Sequence, residues 1–428
     1  CDAFDTLPVV QLSGHEGMNR LPRWHIVVES GAVDVDLASM LGAQAQLRYA
    51  DGDSWLRAVP LMIVDAAYAG TTTAGSRYEI VASDDRWLLT QRSGYRIFQK
   101  RDVRDIVQEL LNGIHPAEQT RWSLSQPLSP RDQCVQYDES EWSFIERLLA
   151  DEGVSYWFDA VDDTSVLCLG DQLEAHEHIG RDGTLRFEDA SGMSQSSSSL
   201  FSFERTLRLT EQAVHVADYD ARSPDMLIEG RAGAGYGEHY EYFAWTADAA
   251  AAERRAQVRL EQLQRLRDTA SCKSHCAQLA PGRRLAITGL PDELGSDYLV
   301  IEARHELTQA HGASAESQHY VNHCTLASAE RPQRPALPAH VPRIDGLETA
   351  RVTGPAGEEI HVDDLGAVTI RTHWDRAGFD DHRSSRWART LQWNMAGSMM
   401  LPRVGWEVGI IHRDGRPDRP WVLAKLYN

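Results

Sequence analysis

Residues 134–158 read Cys134-Val-Gln-Tyr-Asp-Glu-Ser-Glu-Trp-Ser-Phe-Ile-Glu-Arg-Leu-Leu-Ala-Asp-Glu-Gly-Val-Ser-Tyr-Trp-Phe158. The hydrophobic period changes part-way through. Trp142, Ile145 and Leu149 recur at helical spacing, so a helix is expected over roughly 139–151. Asp138 followed three residues later by Glu141 has the form of a capping box at its start. Gly153 is placed to stop it, and Val154–Phe158 then reads as a strand, with another at Ser165–Leu169.

Two more helices stand out on either side. Val103, Ile106, Val107, Leu110, Leu111 and Ile114 mark one face, with Asp102 as N-cap and Gly113 near the end. From about Ala247 to Arg267, Ala252, Ala256, Leu260 and Leu263 point inward and charges outward. Most of the remaining N-terminal region reads as short strands parted by Gly, Asp and Pro, with a serine loop at Ser194–Ser199 and no internal repeats. Between Glu330 and Arg343 a proline recurs every three or four residues (Pro332, Pro335, Pro338, Pro342), which fits an extended, semi-rigid connector and not a helix or sheet interior. Beyond it Val368, Ile370, Thr372 and Trp374 alternate with polar residues. So do Trp387, Arg389, Leu391 and Trp393; Trp406, Val408 and Ile410; and Trp421, Leu423 and Lys425. Turn signals separate these runs, and five or six short strands in about 80 residues suit a small Greek-key barrel of the OB type.

Length and charge narrow the function classes. A chain of 428 residues is expected to form two to four domains. The net charge of −20 argues against nucleic acid, because phosphate binding needs a basic face. From Gly346 to Asn428 eleven acidic and eleven basic residues cancel, so the excess acid lies earlier. No stretch approaches the roughly 20 apolar residues of a membrane span, and the N-terminus has no signal-peptide pattern. The first residue is Cys1, so the true start is expected to be missing. Six irregularly spaced cysteines fit reduced thiols in a cytoplasm and not a disulfide framework.

Motifs for catalysis are mostly missing. Lys100 and Lys273 lack a Walker A frame, His305–Glu306 is not followed by a zinc-helix partner, and there is no Gly-x-Ser-x-Gly elbow. Gly233, Gly235 and Gly237 miss dinucleotide spacing and read as a loop. Cys272, His275 and Cys276 are the best metal candidates, with His323 and Cys324 able to join only if the fold gathers them. Ordinary reduced cysteines are the expectation, and no catalytic, cofactor or metal residue is assigned. His176-Glu177-His178 reads as a solvated loop. His373 and Asp375 bracket Trp374 on an expected strand and so share one face, reading as a hydrogen-bonded barrel rim.

The 134–158 stretch closely resembles the signature of VgrG proteins, the spike of the bacterial type VI secretion system. Arg96-Ile-Phe-Gln99 with the Val103 helix, Gly282–Leu290 and Tyr298–Val300 fit the same family. So do Val352–Ile360, Asp364–Gly366, His373-Trp-Asp-Arg376, Pro402-Arg-Val-Gly405, Pro417-Asp-Arg-Pro420 and Tyr427–Asn428. The resemblance implies a mainly β fold with a few helices. A phage-hub-like base over 1–329 would hold a barrel (about 1–95), an α/β insertion (about 96–190) and a second barrel (about 191–329). The 330–343 connector and an OB-fold neck at 344–428 would follow. It also implies a non-catalytic homotrimer without cofactors, which docks on a ring of the tube protein Hcp among baseplate proteins and punctures target envelopes. Such a protein assembles in the cytoplasm and is then secreted or delivered into a target cell. Family members usually continue past Tyr-Asn into a β-helical needle that carries a tip protein or effector, whereas this sequence ends at Asn428. Two other readings compete: a contractile phage tail hub, and a metal-dependent hydrolase built on Cys272, His275 and Cys276.

Overall fold

The computed structural model describes residues 9–31, 35–51, 54–72, 75–114, 119–180, 182–188, 199–294, 297–309, 318–376, 378–392 and 399–427. The serine loop expected at Ser194–Ser199, save Ser199, and residues 393–398 of the last aromatic loop lie outside these. The chain divides into two compact units. One comprises Cys1–Trp87, Pro116–Gln126 and Leu149–Leu337; the other comprises Leu88–His115, Pro127–Leu148 and Pro338–Asn428.

The first unit is built around the long Asp297–Gln309 strand. One of its edges pairs antiparallel with Gln318–Ser328 along its length. Its other edge is divided. Asp297–Leu299 pair with the Arg284–Thr288 strand, and Glu302–Thr308 pair with Val9–Gly17. The first pairing closes a ring of Arg284–Thr288, Thr184–Phe187, Ser199–Leu207, Asp268–Ser274, Gln318–Ser328 and Asp297–Gln309, so six described strands form a barrel. The second starts a half-barrel through Val9–Gly17, Arg20–Ser30, Gly75–Ser83, Ser54–Thr72 and Gln44–Asp51. Alternation fills both. Leu185, Leu200, Leu285, Ile287, Val300 and Leu326 occupy the closed barrel, each worth about 1.5–3 kcal/mol of burial. Leu12, Trp24, Val59 and Leu61 line the half-barrel. Trp24 fits only because its neighbour is Gly14: a Cβ there would stand 2.1 Å from the indole.

Elsewhere in this unit the helix expected at 247–267 runs Ala249–Gln264, with the Asp248 carboxylate accepting from Ala251 N at 2.8 Å. Its Ala252, Ala256 and Leu260 cover Val214, Val216 and Ala232 on a three-stranded sheet. Strands Ser155–Val161 and Thr164–Gly170 pair as a hairpin, close to the expected positions. Gly153 ends the preceding helix at φ +72, a conformation that suits glycine.

In the second unit Ser93–Arg101 pairs with Arg131–Ser140, and the Val103–Leu111 helix has the expected cap, Asp102 Oδ1 accepting from Asp105 N at 2.9 Å. The signature helix begins later than the capping-box reading places it. Ser93 and Gly94 pair with Ser140 and Glu139, which holds those two residues extended. The helix is Glu141–Glu152, and Ser140 Oγ accepts from Ser143 N at 3.1 Å. Asp138 instead takes a turn conformation at φ +48. Trp142, Phe144, Ile145 and Leu148 are buried, with Phe144 stacked 5.7 Å from Phe98.

The last 80 or so residues form the expected small barrel. Its sheet order is Thr369–Thr372, Glu348–Thr353, Glu407–His412, Pro420–Lys425, Arg389–Thr390, and an antiparallel bridge between Val368 and Ala388 joins the ends. Two faces differ from the alternation reading. At 387–391 the inward residue is Ala388, while Trp387 and Leu391 are about two-fifths exposed; at 420–425 it is Val422 and not Trp421 or Leu423. A five-stranded barrel is too narrow for indoles inside, so Ala350, Val352, Ile370, Val408 and Ile410 fill it with them. Ile410→Ala is therefore expected to cost about 2–5 kcal/mol and Leu391→Ala less than about 0.5 kcal/mol, measured by urea unfolding of the whole chain.

Candidate functional site

The residues weighed for a metal are only partly gathered. Cys272, Cys276 and Cys324 lie within the closed barrel, all buried. His275 turns away: its Nδ1 donates to Tyr320 O at 2.6 Å and its ring stacks 4.8 Å from Phe201. His323 is exposed, since it neighbours Cys324 on an alternating strand. Among the described residues no group of three His, Cys, Asp or Glu side chains is placed to hold a metal ion.

His176 is not solvated as the polar stretch implied. It is buried against Trp157 (ring centroids 4.2 Å apart), its Nδ1 donates to Gly282 O at 3.0 Å, and burial lowers its pKa to about 4. Glu177 and His178 do lie toward solvent. His373 and Asp375 do not share a face, because the strand ends at Thr372; His373 is exposed and Asp375 buried. Gly233, Gly235 and Gly237 form the link between strands Leu227–Gly233 and Glu238–Tyr242.

Several of the motifs that carry the family resemblance meet in the second unit. Asp418, from Pro417-Asp-Arg-Pro420, accepts from Val135 N in the signature strand at 2.6 Å. Tyr137 OH donates to Glu348 Oε1 at 3.0 Å, and burial with that carboxylate pushes its pKa up to about 12. Tyr95, Tyr137 and Trp374 form an aromatic trio with centroids 5.0–5.7 Å apart. Arg386 N donates to Gln133 Oε1 at 2.9 Å. Arg147 on the signature helix donates to Val135 O at 3.0 Å and to both Glu139 oxygens, at 2.6 and 3.2 Å. Asp418 thus does more than set a turn: it satisfies a strand amide that shape alone would leave bare.

In the first unit lies a buried network that the sequence reading did not find. Glu16 accepts from Arg57 Nη2 at 2.7 Å and from His305 Nε2 at 2.9 Å. Because the carboxylate can only accept, His305 carries its proton on Nε2. Its Nδ1 then accepts from Tyr320 OH at 2.7 Å, and its ring stacks 5.0 Å from Trp24. Burial raises the Glu16 pKa, but Arg57 and His305 outweigh it and hold the group at about 2. Burial lowers the His305 pKa more than Glu16 raises it, so the ring is neutral. The single sequence hint was alternation: Glu16 falls in phase with Leu12, and His305 with Ala303, on the inward faces of their strands.

Residues 15–311 match the family described as phage tail baseplate hub (GPD). The type VI secretion system spike protein VgrG4b of Pseudomonas aeruginosa is 31% identical over 99% of this chain and 55% of its own length. VgrG1b of the same organism is 26% identical over 99% of this chain and 59% of its own. The chain thus spans a little over half the length of these relatives. Among solved structures, the E. coli c3393 protein, described as a type VI secretion component structurally similar to T4 tail proteins gp27 and gp5, matches with a TM-score of 0.74. The match has 18% identity and covers 99% of this chain and 97% of that one. The VgrG complex with PdpA from Francisella matches with a TM-score of 0.63 at 9% identity, covering 98% of this chain and 67% of that one. The two barrels, the joint between them and the small C-terminal barrel define the fold class of a contractile-tail hub. The chain belongs to the phage tail baseplate hub family, and type VI secretion system VgrG spike proteins are among its relatives.

Asp418→Ala leaves Val135 N without its acceptor and should cost about 1–3 kcal/mol, read by urea unfolding. Acid should weaken the first unit in two steps. His305, depressed in the fold, takes a proton more readily when unfolded, so stability falls as pH drops below about 6.5. Glu16 contributes stability above about 4.5 that is lost as pH falls toward 2, about 3 kcal/mol in all. In Glu16→Gln the second step should vanish from the pH–stability curve, and neutral-pH stability should fall by about 3–5 kcal/mol because Arg57 stays buried without its charge partner.

Proposed function

We propose that these residues form the base and neck of a homotrimeric spike in a contractile injection machine. Residues 1–329 would serve as base, 330–343 as connector and 344–428 as an OB neck. The spike docks on the Hcp tube ring, contacts baseplate proteins and is driven through a target envelope without catalysing a reaction. The observation that carries this reading is the agreement with VgrG spike proteins over 99% of the chain, through both barrels and the small C-terminal one. A second supports assembly. Ile360, Leu365, Trp387, Leu391, Met399 and Met400 of the C-terminal unit are 37–60% exposed in the single chain, which leaves large apolar side chains available to a contact between copies.

The role is mechanical. Assembly takes place in the cytoplasm, and sheath contraction then delivers the spike outside or into a target cell. The PdpA–VgrG complex is a solved case of a VgrG protein holding another protein, which supports a tip or effector partner here. The phage-tail reading shares the same hub family, but the curated relatives quoted above are secretion spikes.

The protein expressed from its full-length gene should sediment as a trimer at micromolar concentration. A monomer under those conditions would overturn the assembly. Elemental analysis of the same sample should return far less than one zinc per chain; about one per chain would favour the hydrolase reading.

A further inference from the structure

The closed barrel holds a pair of thiols whose placement has a chemical consequence of its own. Cys272 on strand Asp268–Ser274 stands directly opposite Cys324 on the antiparallel strand Gln318–Ser328. Directly opposed residues of antiparallel strands have Cα atoms about 4.5–5.5 Å apart, inside the roughly 4.4–6.8 Å range that a disulfide spans. Both side chains point into the barrel, 3% and 2% exposed, and their thiols are hydrogen-bond partners. Cys276, 5% exposed, belongs to the same cluster but lies past the end of the strand pair. All three are free thiols.

We propose that Cys272 and Cys324 are a disulfide-forming site that locks the closed barrel once the protein meets a disulfide oxidant. The Cys272 thiolate attacks one sulfur of the oxidant, expelling a thiolate and leaving a mixed disulfide. Cys324 gives its proton to solvent, attacks Cys272 Sγ and expels the second thiolate. Two protein thiols lose two electrons, and the oxidant's disulfide becomes two thiols. The hydrogen bond with Cys272 and burial push the Cys324 thiol well above its usual range, so the pair reacts slowly while the barrel is shut. The lock closes through transient opening of the 268–274 and 318–328 strands, and exchange with a reducing dithiol reverses it. Once formed, it ties residues 272 and 324 in the unfolded chain as well and lowers that state's entropy. The inference stands on the barrel alone and does not depend on the injection role.

The test uses the purified full chain, incubated with oxidised glutathione at sub-denaturing urea and then alkylated and digested with trypsin. The expected product joins the Asp268–Lys273 peptide to the one bearing Cys324 and disappears with dithiothreitol. The oxidised chain should melt about 5 °C or more above the reduced one. Cys272→Ser and Cys324→Ser should each lose both effects, and Cys276→Ser should keep them. Alkylation of both Cys272 and Cys324 after that treatment overturns the proposal. So does a cross-link to Cys276, or a cross-link with no rise in melting temperature. The wild-type peptide map decides even if a variant fails to fold.

Discussion

The first unit depends on how one strand divides its edge. A strand offers only two rows of backbone hydrogen-bonding groups, and Asp297–Gln309 commits one row to Gln318–Ser328. The other row serves two sheets, Arg284–Thr288 early and Val9–Gly17 late. The change-over comes at an irregularity between Val300 and Glu302, where Ile301 falls out of register with its partner strand. Its carbonyl is not orphaned: Met18 N donates to it at 2.9 Å, while Val300 N and O are taken by Arg283 O and Gly282 N. A bulge of this kind bends a strand and increases its twist, which lets one strand belong to a closed barrel at one end and a half-barrel at the other. Loss of either pairing would leave the other sheet with an open edge in its core.

The buried charges sit just past that fork, and their value is more in specificity than in net stability. Removing Glu16, Arg57 and His305 from water costs about as much as their mutual attraction returns. A one-residue slip of Val9–Gly17 against Asp297–Gln309 would turn Glu16 outward and leave Arg57 and His305 buried without it. A slip of Val9–Gly17 against Arg20–Ser30 would take Gly14 from beneath Trp24 and place a side chain against the indole. Charge and steric fit therefore each reject wrong registers, over pairings that the apolar pattern alone specifies weakly.

Much of this was legible in the sequence where the signal is local. The Val103–Leu111 helix, its Asp102 cap and the stop at Gly153 follow from spacing and from backbone needs within a few residues. The errors come from tertiary context. Glu139 and Ser140 were assigned to a helix because their pairing with Ser93 and Gly94 is a contact some 46 residues away in sequence. Alternation at Trp387 and Trp421 marks strands but does not say which face is inner, and the width of a five-stranded barrel gives the interior to Ala388 and Val422. His176 looked solvated between Ala175 and Glu177 because the carbonyl that holds it belongs to Gly282. The Glu16–His305 contact spans 289 residues, and no local pattern announces it.

The motifs themselves show how a family signature can be spent on internal contacts. A catalytic group keeps a lone pair or proton directed at a space where substrate sits. Here the signature residues are turned on the chain's own backbone and partners. Asp418 accepts an amide of the 131–140 strand, Gln133 accepts another from Arg386, and Arg147 donates to the Val135 carbonyl. Tyr137 meets Glu348 across 211 residues of sequence. Each contact fastens a strand to the small barrel or to its neighbouring helix by a bond with one geometry, which limits sliding between them. Residue choice at these places answers to the shape of the unit, because each polar group is spent on one fixed partner within the chain.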